Sequence, residues 1–215
     1  MSGHANLTLD LGEQNLSTGW VTPPAIRLLK KSEIPMSARW LHGGINSFSS
    51  PHAPPEFQNR LDKGLDRAAV LEYEDNEAFY EVYAYIYSGK PVGMMSVDLQ
   101  ECKTRNLVYI DSLAGHPGAR NVGDILIEFA VNLSEQRGWS GMVELTADKG
   151  TPDFYESLGF RPNHGIWNVS GWTLCRLTPA DAPQWTNQGG HWRLANVWQA
   201  RDQTMVPVQG TQFRN

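Results

Sequence analysis

The residues best placed to do chemistry lie between Tyr109 and Ala130, in the run YIDSLAGHPGARNVGDILIEFA. An apolar stretch carrying one acid, Asp111, ends in the loop Gly115-His116-Pro117-Gly118 and opens directly into a helix-forming segment. A turn of this kind presents unpaired backbone N–H groups at the positive end of a helix dipole. That arrangement suits a phosphate or pyrophosphate. The glycines match neither the dinucleotide fingerprint GxGxxG nor the P-loop, and no Lys-Ser/Thr pair follows them. Asp111 inside an apolar strand is notable because an unpaired buried carboxylate is costly; a bond to backbone or to an arginine is the alternative explanation. Further along, Glu144 lies in MVELTA and Tyr155 in FYESLGF. On spacing alone Tyr155, beside Phe154, Leu158 and Phe160, reads as the aromatic anchor of a short helix, and Glu144 can equally be exposed on an edge. His116 is a lone loop histidine and reads as structural. Cys175 has no His or Asp at an interpretable spacing and reads as a buried, inert thiol.

The elements that must position these groups follow from periodicity. Residues 1–24 are polar, end at Pro23-Pro24 and read as a flexible lead-in. Ala25 to Leu29 is a short strand. A helix follows, with Ser32 as its cap and Pro35 in its first turn, running to about Leu41 and stopping at Gly43-Gly44. After the loop Asn46 to Pro55, a second helix spans Glu56 to about Arg67, with Phe57, Leu61 and Leu65 at helical spacing. Phe79 to Tyr87 and Val92 to Leu99 alternate about Ser88-Gly89-Lys90 and read as a β-hairpin. Glu101 to Arg105 is a polar turn, and Asn106 to Ala114 is a third strand, whose alternation puts Tyr109, Asp111, Leu113 and Gly115 on one face. A helix from Val122 to Gln136 carries the apolar stripe Ile125, Leu126, Phe129, Ala130 and Leu133. Met142 to Ala147 is a strand, Thr151 to Leu158 a short helix, and Gly171 to Leu177 a further strand. The fold class is α+β, a mixed and mostly antiparallel central sheet flanked by helices. Residues 178–215 are rich in Trp and poor in charge; His191 to Gln199 reads as a strand with Gln203 to Gln209 as its hairpin partner, where Pro207 confines the latter to an edge.

Length and charge exclude several classes. The chain has 215 residues, enough for one domain, and carries 23 Asp and Glu against 18 Lys and Arg, a net charge of −5. That balance disfavours nucleic-acid binding. Two cysteines, Cys102 and Cys175, make neither a disulfide framework nor a metal motif, so the reading is a cytoplasmic protein without a metal. No apolar run reaches the length of a membrane span, so no membrane is expected. Six acids (Asp66, Glu72, Glu74, Asp75, Glu77, Glu81) crowd one short stretch. This is a solvated face or, alternatively, an acidic rim beside an acceptor entrance that attracts a cationic substrate.

With SLAGHPGARNVGDIL followed by FYESLGF, the sequence from about Ala25 to Leu177 resembles the GNAT superfamily of acetyl-CoA-dependent N-acetyltransferases. The resemblance implies acetyl-CoA as acetyl donor. It implies cofactor contacts from backbone groups of Leu113 and Ala114, and from Gly118, Ala119, Arg120, Asn121, Val122, Gly123 and Asp124. Gly123 takes the place of the last glycine of the family's motif. Asn121 stands at the first glycine, a substitution eased by the readiness of Asn to enter the left-handed region, and Gly118 stands at the Gln/Arg position. Arg120 can bring a guanidinium to a CoA phosphate. Tyr155 matches the family's tyrosine that donates a proton to the departing thiolate, and the amine needs a base, for which Asp111 is the first candidate and Glu144 the second.

The implied function is transfer of an acetyl group to a primary amine by direct attack in a ternary complex. The acceptor is a small amine, a lysine or a protein N-terminus, in a channel built from the first two helices, the Asn46 to Pro55 loop and the aromatic hairpin, whose tyrosines Tyr80, Tyr83, Tyr85 and Tyr87 alternate imperfectly and divide between the core and the acceptor site. An oligomer is compatible with this. The organisation is a lead-in (1–24), an acetyltransferase-like domain (25–177) and a Trp-rich extension (178–215). The alternative is a GNAT-shaped binding or effector protein whose Trp-rich tail engages a protein partner.

Overall fold

Alternating aromatic and aliphatic residues on either side of Ser88-Gly89 build the centre of the sheet. In the computed structural model, which describes residues 25–50, 52, 54–73, 79–148, 151–163 and 172–195, strands β2 (Tyr80–Tyr87) and β3 (Lys90–Asp98) pair antiparallel. Ser88 and Gly89 between them both take positive φ, 50° and 76°, as a two-residue hairpin turn requires. The preceding elements are β1 (Ala25–Leu28), α1 (Ile34–Asn46) and α2 (Pro55–Tyr73); those that follow are α3 (Leu99–Arg105), β4 (Val108–Gly115), α4 (Val122–Gln136), β5 (Val143–Ala147), α5 (Pro152–Ser157), β6 (Arg161–Pro162), β7 (Thr173–Leu177), β8 (Trp185–Gln188) and β9 (His191–Leu194). Seven strands form one sheet in the order β1-β2-β3-β4-β5-β7-β6. Only the β4–β5 contact is parallel, so the sheet is mixed and mostly antiparallel, as the sequence predicts. Helix α4 begins and ends at the predicted residues.

Two apolar clusters sandwich the sheet. One joins α4 (Leu126, Phe129, Ala130) to Tyr83, Met95, Ile110 and Leu145; the other joins α1 and α2 (Leu41, Ile45, Ala68, Leu71) to Val82, Ala84 and Met94. Tyr83 and Tyr85 therefore belong to the core under α4, away from any acceptor channel.

Several sequence expectations are corrected. Helix α1 runs through Gly43-Gly44 to Asn46, because Gly44 is where His116 packs: a Cβ there would lie 2.7 Å from the imidazole. Helix α2 continues to Tyr73 because Ala68 and Leu71 complete the second cluster. The predicted polar turn at Glu101 to Arg105 is helix α3, capped by the Asp98 carboxylate, which accepts the N–H groups of Gln100 and Glu101 at 2.8 and 3.0 Å. Strand β9 pairs with β8 through Gly189-Gly190; the expected partner, Gln203 to Gln209, lies outside the described residues, as do the lead-in 1–24 and Trp198. This hairpin is fastened to α4. Asn132 donates to the Trp192 carbonyl and accepts its N–H at 2.9 and 2.8 Å, imitating a neighbouring strand. Glu128 accepts the Leu194 N–H at 3.0 Å, and the Trp185 indole donates to the Leu158 carbonyl at 2.7 Å. Trp185 and Trp192 are thus anchors of the core rather than of a partner surface.

Two acids of the crowded stretch are engaged within the fold. Glu81 stands opposite Val97, which in turn stands opposite Ile110, toward the start of β4 rather than its end. There it pairs with Arg137 and accepts the Tyr83 hydroxyl, while Glu72 pairs with Arg39 at 3.2 Å. Glu74, Asp75 and Glu77 lie outside the described residues.

Candidate active site

The site is a gap in the sheet. Strands β4 and β5 pair only as far as Ile110 opposite Leu145, yet β4 continues to Gly115 and β5 to Ala147. Beyond Ile110, then, one edge of β4 has no strand beside it among the described residues. Backbone polar groups need partners, and an extended chain laid into the gap would supply them. A bulge marks where the gap opens: Ser96 faces Ser112 while Val97 faces Ile110, so Asp111 is the extra residue on β4. The bulge also reverses the alternation. Before it the even-numbered Val108 and Ile110 belong to the α4 cluster, while Tyr109 has its hydroxyl 2.9 Å from that of Thr146; beyond it the even-numbered Ala114 belongs to the other cluster, Leu113 packs with the α4 cluster and Gly115 lies beneath Val122. The predicted single face of Tyr109, Asp111, Leu113 and Gly115 is therefore corrected.

At the end of β4 the chain turns into α4. Gly93 and Gly115 are register partners. A Cβ on Gly93 would overlap Val122 and one on Gly115 would lie 3.1 Å from it, so this glycine pair lets the first turn of α4 sit directly on the sheet. Asn121 caps the helix in the left-handed conformation, φ 57° and ψ 22°, the geometry anticipated for an Asn in a glycine's place. An open cleft of about 340 Å³ lies against this turn, lined by Gly115, His116, Ala119, Asn121, Val122, Gly123, Asp124 and Phe154. The helix-start N–H groups and dipole make it attractive to an anion. Five of the predicted cofactor residues line it; Gly118, Arg120, Leu113 and Ala114 do not. Burial raises the pKa of the Asp124 carboxyl, which lies in the first turn of α4. Asn121→Ala should cost about 1 kcal/mol of stability and weaken anion binding, and Asn121→Gly should do neither, as read by thermal unfolding and titration calorimetry.

Tyr155 lies on α5 next to Phe154, which lines the cleft, and packs against the α4 cluster. Its ring is held edge-on by Phe154 and Phe160, with centroids 5.1 and 5.6 Å away. Burial pushes its phenol up to about 12, with Arg67 opposing that shift and Asp148 adding to it. Its hydroxyl makes no hydrogen bond among the described residues. Arg67 reaches from α2 to Asp148, at the end of β5, at 2.7 Å, and its guanidinium lies 5.2 Å from the Trp172 ring. That bridge spans 81 positions. No periodicity in the sequence points to it.

No family model matches the chain, and a search of curated proteins returns no match. Solved structures do resemble it. The chain is similar to a GCN5-related N-acetyltransferase from Rhodopseudomonas palustris, with 20% identity over 74% of this chain and 98% of that one and a TM-score of 0.47. It is similar to the PaiA N-acetyltransferase from Thermoplasma acidophilum in complex with coenzyme A, with 11% identity over 72% and 98% and a TM-score of 0.48. It is also similar to an acetyltransferase from Thermus thermophilus, with 15% identity over 71% and 96% and a TM-score of 0.45.

The two candidate bases differ in environment. Asp111 is exposed on its bulge, so the cost of burying a carboxylate does not single it out; its Oδ2 accepts the Ser112 hydroxyl at 3.3 Å. Glu144 is fully buried rather than exposed on an edge. Its Oε2 accepts from Arg105 at 2.7 Å, and its Oε1 accepts from Arg176 at 2.5 Å and Asn163 at 3.2 Å. A carboxylate held by two guanidiniums ties α3, β5 and β7 together, with both of its oxygens already engaged as acceptors. Cys175 is buried and its thiol is pushed up to about 11 by burial, which removes its nucleophilic thiolate at neutral pH. Among the described residues there is no metal-binding cluster and no helix long and apolar enough to cross a membrane. Sequence reasoning missed Arg67, Asp148 and Phe154. Gly123 hinted at the last, since a Cβ there would lie 3.0 Å from the Phe154 ring.

Proposed function

We propose that this protein transfers an acetyl group from acetyl-CoA to a primary amine. The observation that carries the reading is the β4–β5 gap with an anion-attracting helix start at its end and, beside that cleft, a protonated phenol with no hydrogen-bond partner among the described residues. These three features match the three parts of such a donor. The extended pantetheine arm completes the free edge of β4 alongside Leu113 and Ala114. The diphosphate sits against the first turn of α4, with Gly118 and Ala119 in the approaching loop and Arg120 free to reach a phosphate.

In the reaction, the acceptor nitrogen must be neutral to attack the thioester carbonyl. Asp111, exposed at the mouth of the gap, takes the ammonium proton through water. The neutral amine adds to the carbonyl, forming the C–N bond; the C–S bond then breaks as Tyr155 gives its proton to the departing sulfur, and the surplus proton on the nitrogen returns to the Tyr155 phenolate. A β4 N–H polarises the carbonyl and steadies the oxyanion. Glu144 is not carried forward as a base.

Titration calorimetry with acetyl-CoA tests the cofactor, and a panel of small amines, lysine peptides and peptide N-termini read by thiol release tests the acceptor. Absence of acetyl-CoA binding at sub-millimolar concentration would sink the proposal.

A further inference from the structure

A histidine that the mechanism does not use sits at the junction of the cofactor cleft and α1. The His116 ring is stacked near Trp40 at 6.3 Å and meets Phe48 edge-on at 5.3 Å. It lies so close to Gly44 that a Cβ there would be 2.7 Å from Cδ2. Gly118 is confined in the same way, its Cβ position being 2.7 Å from Phe48 and 3.2 Å from the imidazole. Two glycines, one in a helix and one in a loop, therefore make room for one ring. Backbone bonds hold the residue on both sides: its N–H donates to the Val92 carbonyl at 2.8 Å, and its carbonyl accepts from Ala119 at 3.0 Å. Its Nδ1 accepts the Gly118 N–H at 3.1 Å. An accepting Nδ1 is an unprotonated one, so the ring proton resides on Nε2 and the imidazole is neutral.

We propose that neutral His116 is a positioning residue for the cofactor: through Nδ1 it sets the turn 116–121 that delivers the backbone of Ala119 and Asn121 to the cleft, and protonation releases that turn. This rests on the acetyl-CoA reading above. A protonated Nδ1 cannot accept from Gly118, so the bond that holds the turn is lost on protonation. Burial lowers the His116 pKa in keeping with this. Lys90, from β3, places its Nζ 5.6 Å from the Trp40 ring; Asp124 lines the same cleft from α4; Arg120 is exposed in the turn. Asp124 titrates with the opposite sign, because its protonation removes a negative charge and so favours an anionic ligand as pH falls.

The sign for His116 follows from its depressed pKa. The ordered turn is fully present above the ordinary histidine value of about 6.5 and is lost as pH falls through the folded-state value. Coenzyme A affinity measured by calorimetry from about pH 7.5 to about pH 5 should therefore fall in the wild type, approaching about tenfold per pH unit for one coupled proton. His116→Asn keeps an acceptor near the Nδ1 position and loses the titration, so its affinity should stay flat or rise toward acid. His116→Phe keeps the ring and loses the acceptor, so its affinity should be low at every pH. Repeating the series with 3′-dephospho-coenzyme A removes the titration of the ligand's own phosphomonoester. NMR of the free protein supplies an arm that needs no ligand: the Gly118 amide should shift with the His116 ring titration, at a pKa below the ordinary value. Parallel pH curves for wild type and H116N, or a Gly118 amide indifferent to the ring, would overturn the proposal while leaving the acetyl-CoA reading in place. A folded protein that binds no coenzyme A at any pH overturns both.

Discussion

Tyr155→Phe should lower the acetyl-transfer rate by about two orders of magnitude and leave coenzyme A affinity within about twofold of wild type. The ring is gripped by Phe154 and Phe160, and the hydroxyl makes no hydrogen bond among the described residues, so the substitution removes one oxygen and disturbs no packing. What is lost is the proton for the departing thiolate. Steady-state rates combined with calorimetry read the split between turnover and binding. An unchanged turnover would take Tyr155 out of the mechanism, whereas a parallel loss of rate and affinity would make it a binding residue. The phenol's pKa of about 12 adds a pH signature. The acid form persists across the neutral and mildly alkaline range, so any loss of rate below about pH 10 has another source. Asp111→Ala identifies one such source if it removes the acid limb of the profile.

Glu144→Ala should cost about 2–3 kcal/mol, seen as a fall in Tm of roughly 5–10 °C for a chain of this size. The carboxylate is fully buried and accepts from Arg105, Arg176 and Asn163. Its loss leaves two guanidiniums facing each other. The arginine side chains are 29% and 43% exposed and can turn to water, which keeps the cost at the lower end for a broken buried pair. Below the melting transition, the folded fraction of E144A should retain its pH–rate profile. A lost acid limb with unchanged Tm would reinstate Glu144 as a base.

How far the sequence reaches is visible element by element. Helix α4 was legible to the residue because its apolar repeat, its Asn121 entry and its Arg137-Gly138 exit are all local. The hairpin of β2 and β3 was legible for the same reason, as was the left-handed Asn121, which depends on one residue's own steric map. Helix α3 carried a local signal that charge content obscured, an Asp98 cap followed three residues on by Glu101. Helix α1 misled because glycines usually end helices; Gly44 is there to admit a ring from a residue 72 positions away.

The chemistry divides along the same line. Residue types and spacing by themselves determined a strand ending in a loop that opens into a helix start, an aromatic-flanked tyrosine after the next strand, and a mixed, mostly antiparallel sheet to carry them. These are short-range properties, written in backbone preference and periodicity. Only the tertiary structure decided that β4 and β5 part after Ile110, that the bulge falls on Asp111, that Glu144 is locked between arginines and that Arg67 meets Asp148. Each of these depends on which distant segments share a face. That is set by the packing of two clusters against opposite sides of one sheet, where a one-residue bulge redirects every side chain beyond it.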